Sequence, residues 1–294
     1  MEQLCFSKMN VGLAILNRRD DGYHNIDTIF QSIMLGDSIY FAKYKDIVFS
    51  GSTPELPKYM ENLIAYDESN LAMKALRAVQ EFTGCKTGGA IHLLKRVPLQ
   101  AGLGGGSANA AGMIKGLNKF WDLRMTDEEM MNLAKPLGAD VAFLMKGGTA
   151  RATGVGDTLT SLPSAPISWL LVIKPMLSIS TAAAYDGFSG TSQVGTSDMD
   201  AVEQAIQEGG YKKAFSLAKN SFEEILFPQY PELEEMKQFF EDRGYPTLMT
   251  GSGPTMIVQM DAGKDAYQLQ EELKVSHPAW LALITKTKGE EVGL

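Results

Sequence analysis

Histidine and cysteine are scarce: three of one and two of the other in 294 residues. No Cys/His zinc cluster can be assembled from so few. A secreted scaffold stapled by disulfides needs more cysteine, so Cys5 and Cys85 are expected as free thiols in a reducing compartment. Positive charge is also short. The formal net charge is −8, whereas a general nucleic-acid binder shows a basic face. Long apolar runs are missing. The longest, such as Trp169 to Ile173, suit a strand and fall far below the roughly 20 residues of a membrane span. The opening MEQLCFSKMN has an acid at Glu2 and no basic stretch before an apolar run, so it does not read as a signal peptide. Together these lacks predict a cytoplasmic protein with neither nucleic acid nor membrane as partner.

What remains is a globular balance. Hydrophobic residues make up 45% and charged residues 21%, at a length that holds one large domain or two ordinary ones. An acidic chain can still bind anionic small molecules, because a few lysines and backbone N–H groups make a local positive pocket.

The first fifty residues read as strands: CFSKMNVGLAIL, then IDTIFQSIML and DSIYFAKY, with an Asp21-Gly22 turn. GSTPELPKYMEN reads as a loop. Ser69 opens a helix that presents Leu71, Ala75, Ala78, Val79 and Phe82 and stops at Gly84. AIHLLKRV is a strand, and Ala110, Ala111, Ile114, Leu117 and Trp121 recur at helical spacing. Thr126 caps a helix with acids in its first turn. Pro163 to Pro166 is the expected boundary between two halves. Beyond it come a strand (ISWLLVIKP), an exposed loop (FSGTSQVGTSD), helical patterns over Asp198 to Phe227 and Glu232 to Arg243, and a strand–glycine turn–strand (TLMTGSGPTMIVQM). A helix (DAYQLQEELK) and a strand (WLALITKT) follow. Without strict βαβ repetition the class is α+β.

The stretch PLQAGLGGGSANAAG, Pro98 to Gly112, carries the chemistry. A linker would be polar on both sides, but this segment sits between a strand and an apolar-faced helix. A dinucleotide fingerprint needs G-x-G-x-x-G, and Ser107 stands where its third glycine belongs. A Walker A loop needs a lysine after its glycines, and none follows. H-R-D and D-F-G are absent too. The physics survives these exclusions: glycines let backbone N–H groups face an anion, and a helix opening at about Ser107 favours negative charge at its start. The stretch predicts a triphosphate cradle of a third kind.

With KMN near the start and MTGSGPTM near the end, this loop resembles the three motifs of the GHMP kinases, in the same order. The elements RRDDGYH, SNLAMKAL and LGADVAFLMKGGTARATGVGDTL resemble the branch whose substrate is 4-diphosphocytidyl-2-C-methyl-D-erythritol. The resemblance spans most of the chain and thins between Asp186 and Thr247. It departs at Gln100, where a small residue is usual, at Ala108, where a second serine is common, and at Gly12, for which the sequence offers no account.

The resemblance implies a two-lobed α+β fold: a ribosomal protein S5 domain 2-like N-terminal lobe over 1–162 and a ferredoxin-like C-terminal lobe over 163–294. It implies ATP and Mg²⁺ as cofactors and a monomer or homodimer. ATP is expected on Pro98, Ala101, Gly102, Leu103, Gly104, Gly105, Gly106, Ser107 and Asn109, with Asn70 and Lys95 towards adenine. Ser107 adds a candidate hydroxyl for the metal. Asp140 is placed as the carboxylate that receives the substrate proton; in GAD it would equally serve as a helix N-cap. Lys8, inside an apolar strand, needs an anion, and Asp140 would supply it; an edge-strand lysine in solvent is the plain alternative. Asn10 lies two residues on, on the same strand face. Tyr23, His24 and Tyr185 are implied to hold the cytosine, Thr181 the ribose, and Gly251, Ser252 and Gly253 to let backbone pass near substrate. Rival readings are a relative acting on mevalonate, phosphomevalonate or homoserine, and a non-catalytic nucleotide or metabolite sensor.

Overall fold

The computed structural model describes residues 1–163, 166–188 and 197–289. Residues 164 and 165 of the expected boundary, and residues 189–196 of the serine-rich segment, lie outside them. In chain order the elements are β1 (Glu2–Arg18), β2 (His24–Ala42), β3 (Ile47–Ser52), α1 (Leu71–Thr83), β4 (Gly89–Leu94), α2 (Gly105–Phe120), α3 (Asp127–Ala134), α4 (Ala139–Lys146), β5 (Thr149–Thr153) and β6 (Thr158–Leu162). Then come β7 (Trp169–Pro175), α5 (Thr181–Asp186), α6 (Met199–Gln207), α7 (Tyr211–Leu217), α8 (Ser221–Leu226), α9 (Pro231–Glu241), β8 (Thr247–Met249), β9 (Met256–Met260), α10 (Gly263–Ser276) and β10 (Trp280–Lys286).

Two sheets organise the chain. The first runs β3-β4-β2-β5-β6, with β1 paired along β2. The second runs β10-β7-β9-β8, all antiparallel. In its own strand sequence that order is fourth, first, third, second, the ferredoxin-like arrangement. Helices α1 to α4 bury Leu76, Val79, Ile114, Leu117, Val141 and Phe143 with the first sheet. Alternation along β7 serves two cores: Leu170 and Val172 face Met9, Val11 and α6, while Leu171 and Ile173 face Phe222, Met236 and Phe240.

Local chemistry explains the element ends. Asn70, not Ser69, caps α1; its Oδ1 accepts the Ala72 N–H at 3.0 Å while Ser69 bonds Asp67. Gly84 ends the same helix at φ 69°. Its buried face is Ala72, Met73, Ala75, Leu76 and Val79, and Phe82 stays outside. Thr126 and Glu129 form a reciprocal capping box on α3. The loop after β3 holds a 3₁₀ turn over Lys58–Leu63. The single helical pattern from Asp198 divides into α6, α7 and α8, because Gly209 (φ 77°) breaks it and Asn220 caps afresh. The two expected strands from Ile26 to Tyr44 are one, β2.

Candidate active site

β1 is an edge strand on the side away from β2, and an edge leaves N–H groups unpaired. Here four of them, between Lys8 and Ile15, find partners from distant segments. Lys8 N–H donates to Leu103 O at 3.0 Å, and Leu13 N–H to Lys219 O at 2.9 Å. Asn10 N–H donates to Thr250 Oγ1 at 2.9 Å, and Ile15 N–H to Ser221 Oγ at 3.1 Å. The glycine loop, the late glycine turn and the start of α8 are therefore docked side by side on one strand.

Gly12 makes this edge continuous. It sits in the register shift between Asn10 and Leu13, at φ 82°, a region L side chains avoid. Thr28 Oγ1 donates to its carbonyl at 2.6 Å and fixes the bulge. One extra residue changes the strand's parity, so Leu13 continues the cleft-facing series begun by Lys8 and Asn10. This accounts for the glycine that the sequence alone left unexplained.

The cleft beside this edge has a volume of about 360 Å³. Lys8, 5% exposed, places Nζ 3.6 Å from Asp140 Oδ2 and donates to Asn10 Oδ1 at 2.8 Å. The ammonium also lies 5.0 Å from the centre of the Phe30 ring. Asp140 stands in the first turn of α4, where the helix dipole favours an anion. Gly138, not Asp140, occupies the N-cap position, so the carboxylate is free of capping. Gly104 presses on this pair: a Cβ there would stand 3.2 Å from Lys8 Cγ and 3.4 Å from Asp140 Oδ2. A side chain at the bottom of the glycine loop would therefore crowd the ion pair.

The loop is locked from behind. Gly102 has φ 68°, and a Cβ on it would meet Thr250 O at 2.2 Å. Thr250 Oγ1 lies 3.4 Å from Gly102 O. Asn220 donates to Met249 O at 2.7 Å and Gly251 O at 2.8 Å, holding the turn that carries Thr250. Helix α2 begins at Gly105, two residues before the expected start, because Gly104 in the left-handed region closes the preceding loop. Its first N–H groups therefore come from Gly105, Gly106 and Ser107. Of the two departures in this stretch, Gln100 is exposed at φ 50° and Ala108 is buried on α2.

The cleft gathers Lys8, Asn10, Lys95, Pro98, Ala101 to Gly106, Asp140, Thr181, Tyr185, Gly251 and Ser252. It does not gather Asn70, Ser107, Asn109, Tyr23, His24 or Gly253. A second cleft of about 250 Å³ brings Asn70, Lys95 and Asn109 together beside Leu63, Leu71 and Leu99. Both polar ends of the Asn70 side chain are already used, on Ala72 N–H and Ala65 O. Lys95 does not end its strand in water. It is buried and ion-paired with Asp37, also bonding Asn109 Oδ1 at 3.0 Å.

The aromatic residues are arranged differently from a pair of rings awaiting a base. His24 stacks on Tyr185, with centroids 5.1 Å apart and planes 23° from parallel. Tyr185 packs edge-on against Phe222, and burial with the charge of Asp140 pushes its hydroxyl up to about 12. Burial, then the nearby Arg18, holds the His24 ring below its ordinary pKa. His24 Nε2 is buried without a hydrogen-bond partner. Tyr23, at the β1–β2 hairpin, is 67% exposed. Sequence reading missed the apolar wall of the cleft, namely Leu13, Ile26, Phe30, Val155 and Phe222. It missed Asp37, Asn220 and Thr250 as well. Only Thr250 carried a signal, as the residue before the late glycines.

Comparison with known proteins shows the family and the fold. Residues 70–148 match the family described as GHMP kinases N terminal domain, and residues 194–278 match GHMP kinases C terminal. A protein of Caldicellulosiruptor saccharolyticus named 4-diphosphocytidyl-2-C-methyl-D-erythritol kinase is 35% identical over 92% of this chain and 91% of its own. Its namesakes from Geobacillus kaustophilus (37% identical, 85% of each chain) and Caldanaerobacter subterraneus (35%, 98% and 97%) are similar too. A crystal structure of 4-(cytidine 5'-diphospho)-2C-methyl-D-erythritol kinase superposes with a TM-score of 0.82 at 29% identity, over 98% of this chain and 100% of that one. A crystal structure of L. major mevalonate kinase in complex with R-mevalonate shares the fold at a TM-score of 0.75 and 14% identity, over 98% of this chain and 96% of that one.

Proposed function

The chain belongs to the GHMP kinases, in the branch of the 4-diphosphocytidyl-2-C-methyl-D-erythritol kinases, and on that premise we propose that it phosphorylates the C2 hydroxyl of this substrate with ATP. It is an ATP-dependent small-molecule kinase of isoprenoid synthesis by the route that does not use mevalonate. The observation that supports the site reading is the closeness of Gly104 to the Lys8–Asp140 pair, where even a methyl group would crowd both side chains. Such closeness supports a phosphate loop working beside Asp140, the one carboxylate that lines the cleft among the described residues.

Phosphoryl transfer needs alignment and charge compensation more than covalent chemistry. The N–H groups at the start of α2 and the dipole behind them receive the triphosphate. Asp140 accepts the hydroxyl proton as the oxygen attacks. Lys8 faces the Asp140 carboxylate with Nζ 3.6 Å from Oδ2, and Asn10 fixes Lys8 by accepting one of its N–H bonds. When bound, Mg²⁺ would supply charge neutralisation on the phosphates and would need few protein ligands. The ion would be carried by phosphates and water, with Ser107 as its candidate protein contact.

The second cleft, between Leu63, Leu71 and Leu99, suits the nucleoside end of ATP. Cytosine takes the face of Tyr185 by displacing His24, and its edge gives His24 Nε2 the partner it lacks. Tyr23 covers the base from the hairpin, and Thr181, bonded to Ser252 at 3.1 Å, faces the ribose. Among the described residues no helix is long and apolar enough to cross a membrane. We place the reaction in the cytoplasm, on a monomer or homodimer. The test is ADP release from ATP with the cytidyl substrate, mevalonate and homoserine side by side. Turnover of mevalonate or homoserine but not the cytidyl ester would overturn the substrate.

A further inference from the structure

Asp37 is fully buried, lies on β2, and takes no part in the chemistry above. Its carboxylate nonetheless collects four donors. Oδ1 accepts the N–H of Arg96 at 2.7 Å and of Val97 at 2.9 Å. Oδ2 accepts Asn109 Nδ2 at 2.8 Å and the Lys95 ammonium. Arg96 and Val97 lead from β4 into the glycine loop, and Asn109 leads away from it on α2. One side chain on a third element therefore ties both ends of the loop.

The same hub supports the loop in the middle. Lys95 lines both clefts, and a Cβ built on Gly105 would stand 3.3 Å from its Nζ. The ammonium is neutralised by Asp37 and bonded to Asn109. It serves the loop as a strut rather than as a spare cation for phosphate. A buried ion pair is a poor source of stability, because desolvation offsets the attraction. Its value lies in fixing geometry, and the geometry fixed here is that of backbone N–H groups that must point inward before the ligand arrives.

We propose that Asp37 is the positioning residue of the phosphate loop, holding Val97 and Asn109 at a set separation so that the amides of Gly102 to Ser107 form an anion cradle. The proposal rests on the reading of that loop as the triphosphate site. A merely structural Asp37 would stabilise the whole lobe and would not separate one ligand from the other.

Two variants test it. Asp37→Asn keeps the size and removes the charge. Asn109→Ala removes the bonds of this amide to Asp37 and to Lys95, and leaves the Asp37–Lys95 pair in place. Because Asn109 also lines the second cleft, the exchange rates of the loop amides rather than ATP affinity decide for this variant. Amide hydrogen exchange of the ligand-free protein is read at residues 102–107, with α10 as the control. Dissociation constants are measured for a non-hydrolysable ATP analogue and for the cytidyl substrate. Both variants are expected to exchange the loop amides about tenfold faster, with α10 unchanged. Binding of the ATP analogue weakens about tenfold or more in Asp37→Asn and about threefold in Asn109→Ala, while cytidyl binding stays within about twofold. If Asp37→Asn does not fold, Asn109→Ala decides. Loop amides at wild-type rates, or equal weakening of both ligands, would overturn the proposal. A wild-type protein that bound no ATP analogue would sink the kinase reading, and the exchange data would still judge Asp37.

Discussion

The phosphate side of the cleft and its base side are built from different materials. On the phosphate side the working groups are backbone amides, held by β1's edge and by the buried Asp37, Lys95, Asn109, Thr250 and Asn220. On the base side they are the rings of Tyr23, His24 and Tyr185. One of these is 67% exposed and two are stacked on each other. Backbone donors carry no choice of rotamer, so the first side is formed before any ligand arrives. Stacked rings exchange one π-face for another at small cost, so the second side can rearrange. The difference predicts that damage to the phosphate side acts on rate and on ATP, while damage to the base side acts on the cytidyl substrate alone.

The largest effect belongs to the point where the two sides meet. Asp140→Asn keeps the shape and removes the proton acceptor beside Lys8. We expect kcat to fall by about 10²–10⁴, with nucleotide affinity within about threefold of wild type by fluorescence titration. Near-normal turnover would remove Asp140 from the chemistry. Next is Gly102→Ala. The φ of 68° disfavours a side chain, and the new methyl would overlap Thr250 O at 2.2 Å. The loop must move off the late glycine turn, so KM for ATP rises about tenfold or more while KM for the cytidyl substrate changes less. Equal changes in both would erase the distinction between the sides.

Tyr185→Ala tests the other half. Stacking of a base on an aromatic ring is worth about 1–3 kcal/mol, so KM for the cytidyl substrate should rise between about fivefold and a hundredfold with KM for ATP unchanged. Steady-state kinetics with each substrate varied in turn separates the two. A rise in KM for ATP instead would show that the rings also shape the phosphate side.

The same contrast explains what the sequence disclosed. The glycine loop stood out in the sequence as a run of glycines between a strand and a helix, and Lys8 as a lysine in an apolar strand; Asp140 was named by resemblance, and the fold brings these distant residues to one cleft. Strand, loop and helix around them followed from apolar periodicity. Asp37 and Thr250 were not legible, because their partners lie far along the chain, Asn10 and Thr250 being 240 residues apart. Gly12 was visible as an oddity but gained meaning only from the bulge that keeps Leu13 in line with Asn10. The aromatic residues were named by resemblance, and their stacking is a matter of packing that no motif encodes. The helical stretch after Asp198 was read as one because its apolar rhythm is continuous. Its breaks come from Gly209 and from the capping of Asn220.

The smallest effect tests whether the base side is closed in the free protein. Burial against Tyr185 and Phe188, followed by the charge of Arg18, lowers the pKa of His24 in the folded state. The unfolded chain then takes up a proton first as pH falls. The contribution of the neutral stacked ring is complete above the ordinary imidazole value near 6.5 and declines as pH drops towards the lowered folded value. The melting temperature of wild type relative to His24→Gln should therefore fall between about pH 7.5 and 5.5, a window set by the same reference pKa. The cytidyl substrate, by giving Nε2 a partner, should change that dependence, whereas ATP should leave it alone. A difference that stays flat with pH would mean that His24 is solvated rather than stacked. The base side would then stand open, as preformed as the loop opposite.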